Sequence, residues 1–342
     1  MFGNPRYPTY QVFLAAAIAA LITVVLMPLF IRMMRHEGVG QQIRADGPQR
    51  HLVKQGTPTM GGVVMLVAVI ITCMIQARWT PDLRIALGAV LATGSLGLLD
   101  DIESVAHKRS LGLTPSQKML GLLLITVAFC LAAVNVCDVS PAIRFPGGLM
   151  IDLGVLTTTL HLAGGINVPW LYVAFVFLLM AGLSNAVNLT DGLDGLAGGC
   201  SVGVMMAMAM VAFRYDAINL SIFAASIAGA CVGFLWYNGH PASIFMGDTG
   251  SLSLGAAFAA LSVLTKTEVI ALVMGALFII EALSVIIQVA SFKLTGRRVF
   301  LMAPIHHHFE RLGWDENKVV LRFWIIAAAF ATLGFALYFK LG

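Results

Sequence analysis

Apolar runs of membrane length recur along the whole chain, separated by short polar connections. A helix needs roughly 20 apolar residues to cross a bilayer. Ten segments fit that requirement by length and pattern: 10–34, 59–77, 83–100, 117–136, 169–187, 197–213, 220–237, 249–265, 269–289 and 319–340. The runs are apolar on all sides of a 3.6-residue period, which suits lipid or a bundle interior rather than a water-washed helix. They predict an all-α polytopic membrane protein. Segment 197–213 is the shortest and is rich in Gly, Ala and Met, so it is expected to pack inside the bundle. The first run carries no small-residue cleavage site and reads as a retained helix.

Composition agrees. Of 342 residues, 59% are hydrophobic and 11% charged, against about 25% charged in an ordinary soluble domain. No polar stretch is long enough for a separate soluble unit, so a single integral membrane domain over 1–342 is expected. The five cysteines are scattered, mostly in apolar runs, with no Cys-x-x-Cys pair. They read as small buried residues, not as a redox or zinc site. Neither a phosphate-binding Walker pattern nor a dinucleotide glycine fingerprint is present. No nucleic-acid partner is expected.

Charge orients the bundle. An even number of spans puts both termini on one side. The connections 35–58, 101–116, 188–196, 238–248 and 290–318, with their helix ends, hold fourteen Lys and Arg residues; the opposite face, with the termini, holds seven. The positive-inside rule makes the first set cytoplasmic and both termini external, which is periplasmic if the membrane is a bacterial inner membrane. A short periplasmic β-hairpin is expected in the long outer loop 138–168, around Pro146-Gly147-Gly148. Eleven of seventeen acids also fall on the cytoplasmic side, and Glu281 alone falls within a predicted span. Acids contribute little to topology, so their bias suggests a shared site.

Five stretches on that side carry chemistry. Asp100 and Asp101 end the third span, about 100° apart on a helix, so they face different partners. Asn188-Leu189-Thr190-Asp191-Gly192-Leu193-Asp194-Gly195 packs an amide, a hydroxyl and two carboxylates among glycines that allow close backbone approach. Asn238 opens a connection that ends in Phe245-Met246-Gly247-Asp248, where Asp248 suits either a helix N-cap or a metal ligand and Phe245 offers a flat face to a base. His306, His307 and His308 lie in Pro304-Ile305-His306-His307-His308-Phe309-Glu310; adjacent histidines suit contacts to a polyanion better than one shared ion. Lys54 precedes Thr57-Pro58-Thr59-Met60-Gly61-Gly62, where a positive-inside anchor and an anion contact are both open readings. Clustered carboxylates suit a hard cation such as Mg²⁺, which takes one or two carboxylates plus substrate phosphates. A metal-assisted phosphoryl transfer at a membrane face follows from the combination.

In this order the motifs resemble the polyprenyl-phosphate N-acetylhexosamine-1-phosphate transferase superfamily, and the Pro-Ile-His-His-His-Phe-Glu segment resembles its phospho-N-acetylmuramoyl-pentapeptide transferase branch. The resemblance implies that UDP-N-acetylmuramoyl-pentapeptide and undecaprenyl phosphate give lipid I and UMP for the cell wall, with Mg²⁺, in a ten-span protein of the bacterial inner membrane with external termini. It also implies a homodimer. Matched residue by residue, Asp248 corresponds to the principal Mg²⁺ ligand, with Asp191 near it. Asp100 corresponds to the group acting on the lipid phosphate, with Asp101 beside it. Lys54, Gly192, Leu193, Asp194 and Phe245 correspond to the uridine pocket. Asn188, Asp191 and His307 correspond to contacts near the sugar and diphosphate, and Thr59, Asn238, Gly247 and His306 lie in the same substrate-binding motifs. Lys118 matches a basic position after the aspartate pair. One departure stands out: the family's Asp-Asp-x-x-Lys ends here in Ser104, and Lys108 or Arg109 are the nearby cations.

Two other readings remain open at this level. A GlcNAc-1-phosphate transferase of the same superfamily would use UDP-GlcNAc. A cation-coupled transporter would place its acids near the bilayer midplane within repeats, whereas here they gather at one interface and no repeat is visible.

Overall fold

The computed structural model describes residues 8–37, 40, 56–107, 112–160 and 165–341. Among them twelve α-helices appear in chain order: α1 (Pro8–His36), α2 (Gly62–Gln76), α3 (Pro81–Ala106), α4 (Pro115–Val136), α5 (Trp170–Thr190), α6 (Leu196–Arg214), α7 (Ile218–Asn238), α8 (Gly247–Leu264), α9 (Glu268–Met274), α10 (Ala276–Thr295), α11 (Ile305–Arg311) and α12 (Glu316–Leu341). Nine of these are long and apolar enough to cross a membrane. The expected second span is α2, with 15 residues and a length of about 22 Å. The expected ninth span, 269–289, is not one helix. It breaks at Gly275 into α9 and α10, and α10 runs on to Thr295.

Lipid and protein faces separate along each outer helix. In α1 the buried residues Val12, Ala15, Ala19, Thr23, Met27 and Ile31 form one stripe at three- and four-residue spacing. Phe13, Leu21, Val25 and Leu29 on the other face are exposed and equally apolar. Such a face has no use for water, so it belongs against acyl chains.

The interior helices are built from small residues. α8 is Gly, Ala and Ser at most interior positions, and nearly all of it is buried. It packs against α2, α3, α5 and α6. A side chain on Gly97 of α3 would run into the backbone of Asp248, and one on Gly62 of α2 would run into Gly250. Close backbone approach of this kind is how membrane helices associate without a hydrophobic driving force between them. It also brings α2 and α3 directly against the N-terminus of α8.

The outer loop forms two hairpins where one was expected. β1 (Ala142–Arg144) pairs antiparallel with β2 (Met150–Asp152), and β3 (Thr157–Leu160) pairs with β4 (Ile166–Pro169). Gly147 and Gly148 take positive φ in the first turn, as the Pro-Gly-Gly sequence requires. At the hairpin end, Lys266 donates to Glu268, Tyr172 and the Ser140 carbonyl, and Tyr172 donates to Glu268. Glu268, which the ten-span pattern places on the external side, is fully buried there as part of a staple.

Candidate active site

The ends of α3, α5 and α7 and the starts of α2, α4, α6, α8 and α12 meet at the end of the bundle opposite the hairpins. Antiparallel alternation alone brings these loops together. Three backbone hydrogen bonds then lace the Thr57–Gly62 segment to the loop before α8: Gly61 donates to the Phe245 carbonyl (2.9 Å), Gly62 to Met246 (2.9 Å) and Phe245 to Pro58 (2.8 Å). Met60 takes φ +68 in that segment, a left-handed value uncommon for a side-chain-bearing residue. Thr59 is buried beside it, and Phe245 is half-buried.

Asp248 stands at the centre. One carboxylate oxygen accepts from Lys118 Nζ at 2.6 Å and the other from Asn188 Nδ2 at 2.7 Å. Lys118 also lies 3.1 Å from Asp100 Oδ1, and that oxygen accepts from the Leu113 amide at 2.9 Å. One ammonium therefore bridges two carboxylates from α3 and α8. Asn188 donates a second time to Ser251 Oγ (2.9 Å), which ties α5 to the first turns of α8.

Asp101 does something different from its neighbour. Its carboxylate accepts from the backbone amides of Asp248 (2.9 Å) and Thr249 (3.0 Å) and from the Thr249 hydroxyl (2.7 Å). It caps α8 from another helix, satisfying amides that have no partner within α8 and setting a negative charge at its positive end. Asp248 is thus the capped residue and not the N-cap that its position suggested. Gly247, at φ +74, makes the turn that presents it.

The Asp191–Gly195 turn follows α5. Asp191 is half-buried, and its carboxyl is pushed up to about 7 by burial and by the neighbouring charges of Asp248, Asp101 and Asp194. Leu193 is buried in the core, and Asp194 is nearly so. Asp194 accepts from His240 Nδ1 (2.9 Å) and the Ala242 amide (3.1 Å), while its own amide donates to Glu316 (3.0 Å). Asn238 is a strut: it accepts from the Gly195 amide and donates to the Ile244 carbonyl, both at 2.9 Å. Trp324 of α12 donates to the Gly195 carbonyl at 3.0 Å. Asp194, His240 and Glu316 form the one group of three metal-ligating residue types, among those described, whose ligand atoms lie within 4.8 Å of one another. Hydrogen bonds within the group account for that closeness.

The three histidines, on the short helix α11, have three separate jobs. His306 is fully buried, its ring edge against Gly192 and its Nδ1 3.1 Å from Glu281. His307 pairs with Glu310 at 2.6 Å, its ring 4.2 Å from that of His306. His308 Nδ1 accepts from the Leu301 amide and so faces the preceding loop. Lys54, Lys108 and Arg109 lie outside the described residues. Lys118, fourteen positions beyond Ser104 in sequence, supplies the cation of the aspartate cluster.

Comparison with known proteins now assigns this geometry to a family. The model of glycosyl transferase family 4 matches residues 83–266, and the phospho-N-acetylmuramoyl-pentapeptide-transferase signature 1 matches residues 54–66. The phospho-N-acetylmuramoyl-pentapeptide-transferase of Rubrobacter xylanophilus is 46% identical over 96% of this chain and 98% of the relative. Proteins of the same name from Desulforudis audaxviator and Geobacillus kaustophilus are each 44% identical, over 95% and 96% of this chain and 97% and 98% of theirs. The chain belongs to the phospho-N-acetylmuramoyl-pentapeptide-transferase family. Within this transferase, His240, Thr249 and Ser251 lie in or beside the Asn238–Asp248 stretch, but motif reading assigns them no individual role; the structure shows them holding the motifs in place. Glu316 and Trp324 lie in no motif, and Glu281 carried a signal only as an acid inside a span.

Proposed function

We propose that the chain transfers phospho-N-acetylmuramoyl-pentapeptide from UDP to undecaprenyl phosphate, giving lipid I and UMP for peptidoglycan synthesis. The observation that carries this reading is the bridge Asp100–Lys118–Asp248–Asn188, an ammonium between two carboxylates at one end of a lipid-facing bundle. A lipid phosphate and a water-soluble diphosphate can meet only at such an interface.

The products fix the bonds. An oxygen of the lipid phosphate attacks the phosphorus that bears the sugar, and the bond from that phosphorus to the bridging oxygen breaks, so UMP leaves. Asp100 takes the remaining proton of the lipid phosphate. Lys118, its charge balanced by Asp100 and Asp248 before substrate binds, faces the diphosphate oxygens. Asn188 holds Asp248 in one rotamer. The turn 191–195 and Phe245 bind the uridine, and His307 contacts the sugar and diphosphate region. Asp191 and Asp248 would hold Mg²⁺; burial first, and then the charges of Asp248, Asp101 and Asp194, raise the Asp191 carboxyl to about 7, and a divalent cation would offset both. When bound, the ion neutralises diphosphate charge and polarises the phosphorus under attack. The positive-inside distribution supports a cytoplasmic site in the bacterial inner membrane, with both termini outside.

The acids at the bundle end, rather than at mid-membrane, argue against transport. Glu281 is the apparent exception, and its partner His306 comes from α11 at the site end. The test is release of UMP from UDP-N-acetylmuramoyl-pentapeptide by purified protein, with and without undecaprenyl phosphate. Vesicle uptake of the nucleotide sugar without UMP release would overturn the assignment.

A further inference from the structure

Glu281 and His306 form a contact that the transfer chemistry above does not use. Glu281 lies in the second turn of α10, inside the bundle; His306 lies on α11. Both side chains are fully buried, with Glu281 Oε2 3.1 Å from His306 Nδ1. Glu281 Oε1 and His306 Nε2 are buried and have no hydrogen-bond partner among the described residues. A carboxylate in a membrane interior is costly and persists where it has a task. An unpartnered ring nitrogen in the same place is costly too.

The free nitrogen has a direction. A side chain on Gly192 would collide first with His306 Nε2. The imidazole edge therefore fills the space that any other residue at 192 would take. It abuts the turn that begins at Asp191 and carries the proposed uridine and diphosphate contacts. Gly192 itself is exposed.

We infer that Glu281 is a positioning residue of the transfer site, acting through His306. Its carboxylate accepts the Nδ1 proton, which fixes the tautomer and ring orientation and leaves Nε2 as the nitrogen presented behind Gly192. Carboxylates that bind one nitrogen of a histidine commonly set the task of the other. The bond also ties α11 to α10 through a fully buried contact. This inference rests on the transferase reading of the site.

A double-mutant cycle tests it. Glu281→Met removes the acceptor with little change of volume. His306→Asn keeps a donor near the Nδ1 position and deletes Nε2. The readout is kcat/KM for UDP-N-acetylmuramoyl-pentapeptide with undecaprenyl phosphate, measured on monodisperse protein in detergent. E281M should lower kcat/KM about 30-fold in the wild-type background, within the range of roughly 2- to 150-fold known for coupled neighbours. In the H306N background it should change it less than about threefold. Glu281→Gln, which can still accept from Nδ1, should keep at least a third or so of wild-type activity. Equal losses from E281M in both backgrounds would overturn the inference, as would an E281M enzyme with wild-type kcat/KM. If E281M does not fold, E281Q decides: a loss as deep as that of H306N refutes an orienting hydrogen bond. Wild-type protein without transfer activity would instead sink the transferase reading, and the inference with it.

Discussion

The adjacent carboxylates of Asp100 and Asp101 should separate cleanly under the same substitution. Asp101 accepts three hydrogen bonds from the start of α8, at 2.7–3.0 Å, and is buried. Asparagine has one acceptor oxygen and turns an amide toward donors, so one or two of these bonds are lost along with the charge. Hydrogen bonds to charged groups contribute about 1.5–3 kcal/mol each, and a cap is worth about 1 kcal/mol. Asp101→Asn should therefore destabilise the protein by about 2–4 kcal/mol. For a chain of this size that lowers Tm by about 3–6 °C. Turnover falls as well, because Asp248 hangs on the same amide. Asp100→Asn keeps an acceptor for the Leu113 amide, so its Tm should stay within about 2 °C of wild type while turnover falls about 100-fold or more. The assay is paired: thermal unfolding in detergent followed by an intrinsic fluorescence probe, and initial rates on the same preparations. Asp101→Asn with an unchanged Tm and abolished turnover would place that carboxylate in the chemistry and refute its role as a cap.

Further outcomes follow from the same contacts. Lys118→Met leaves Asp100 and Asp248 without their shared cation and removes a positive group proposed to face the diphosphate, so kcat/KM should fall by about two orders of magnitude, and a change under about threefold would remove Lys118 from the site. Gly192→Ala drives a methyl into the His306 ring and should cost about tenfold or more by shifting the turn, whereas retained activity would show that the turn gives way freely. Because the Asp191 carboxyl sits near 7, it is protonated at pH 6 and must lose that proton to ligate a cation; the Mg²⁺ concentration for half-maximal rate should be about tenfold higher at pH 6 than at pH 8. A pH-independent requirement in wild type, matching that of Asp191→Asn, would exclude Asp191 as a ligand.

Much of this architecture is legible in the chain because membrane helices announce themselves by length and composition alone. Segment ends fell within a few residues for α4 to α8, where apolar runs stop at Pro, Gly or Asp. Gly275 was invisible as a break: Leu272-Val273-Met274-Gly275-Ala276 is apolar throughout, and glycine is tolerated in spanning helices. The aspartates were legible as a cluster but not as individuals. Asp100 and Asp101 differ by a rotation on α3, and only the packing of Gly97 against Asp248 decides which of them meets the α8 amides. Likewise Asn238 and Asp194 stand out as polar residues in a rich loop, yet their bonds are spent on Gly195, Ile244, His240 and Ala242. Lys118 was legible as a basic position after the aspartate pair, but that its one ammonium joins Asp100 to Asp248 depends on how α4 packs beside α3 and within reach of α8, which local spacing does not reveal.

The central claim is that Asp248, held by Lys118 and Asn188, governs phospho-sugar transfer to a lipid phosphate. The most direct measurement is UMP release from UDP-N-acetylmuramoyl-pentapeptide with undecaprenyl phosphate and Mg²⁺, for wild type and Asp248→Ala, with UDP-GlcNAc as the competing donor. The account predicts Mg²⁺-dependent release by wild type only with the muramoyl donor, and a loss of about 1000-fold or more in a folded Asp248→Ala protein. Turnover of UDP-GlcNAc alone, or full activity without Asp248, would contradict it.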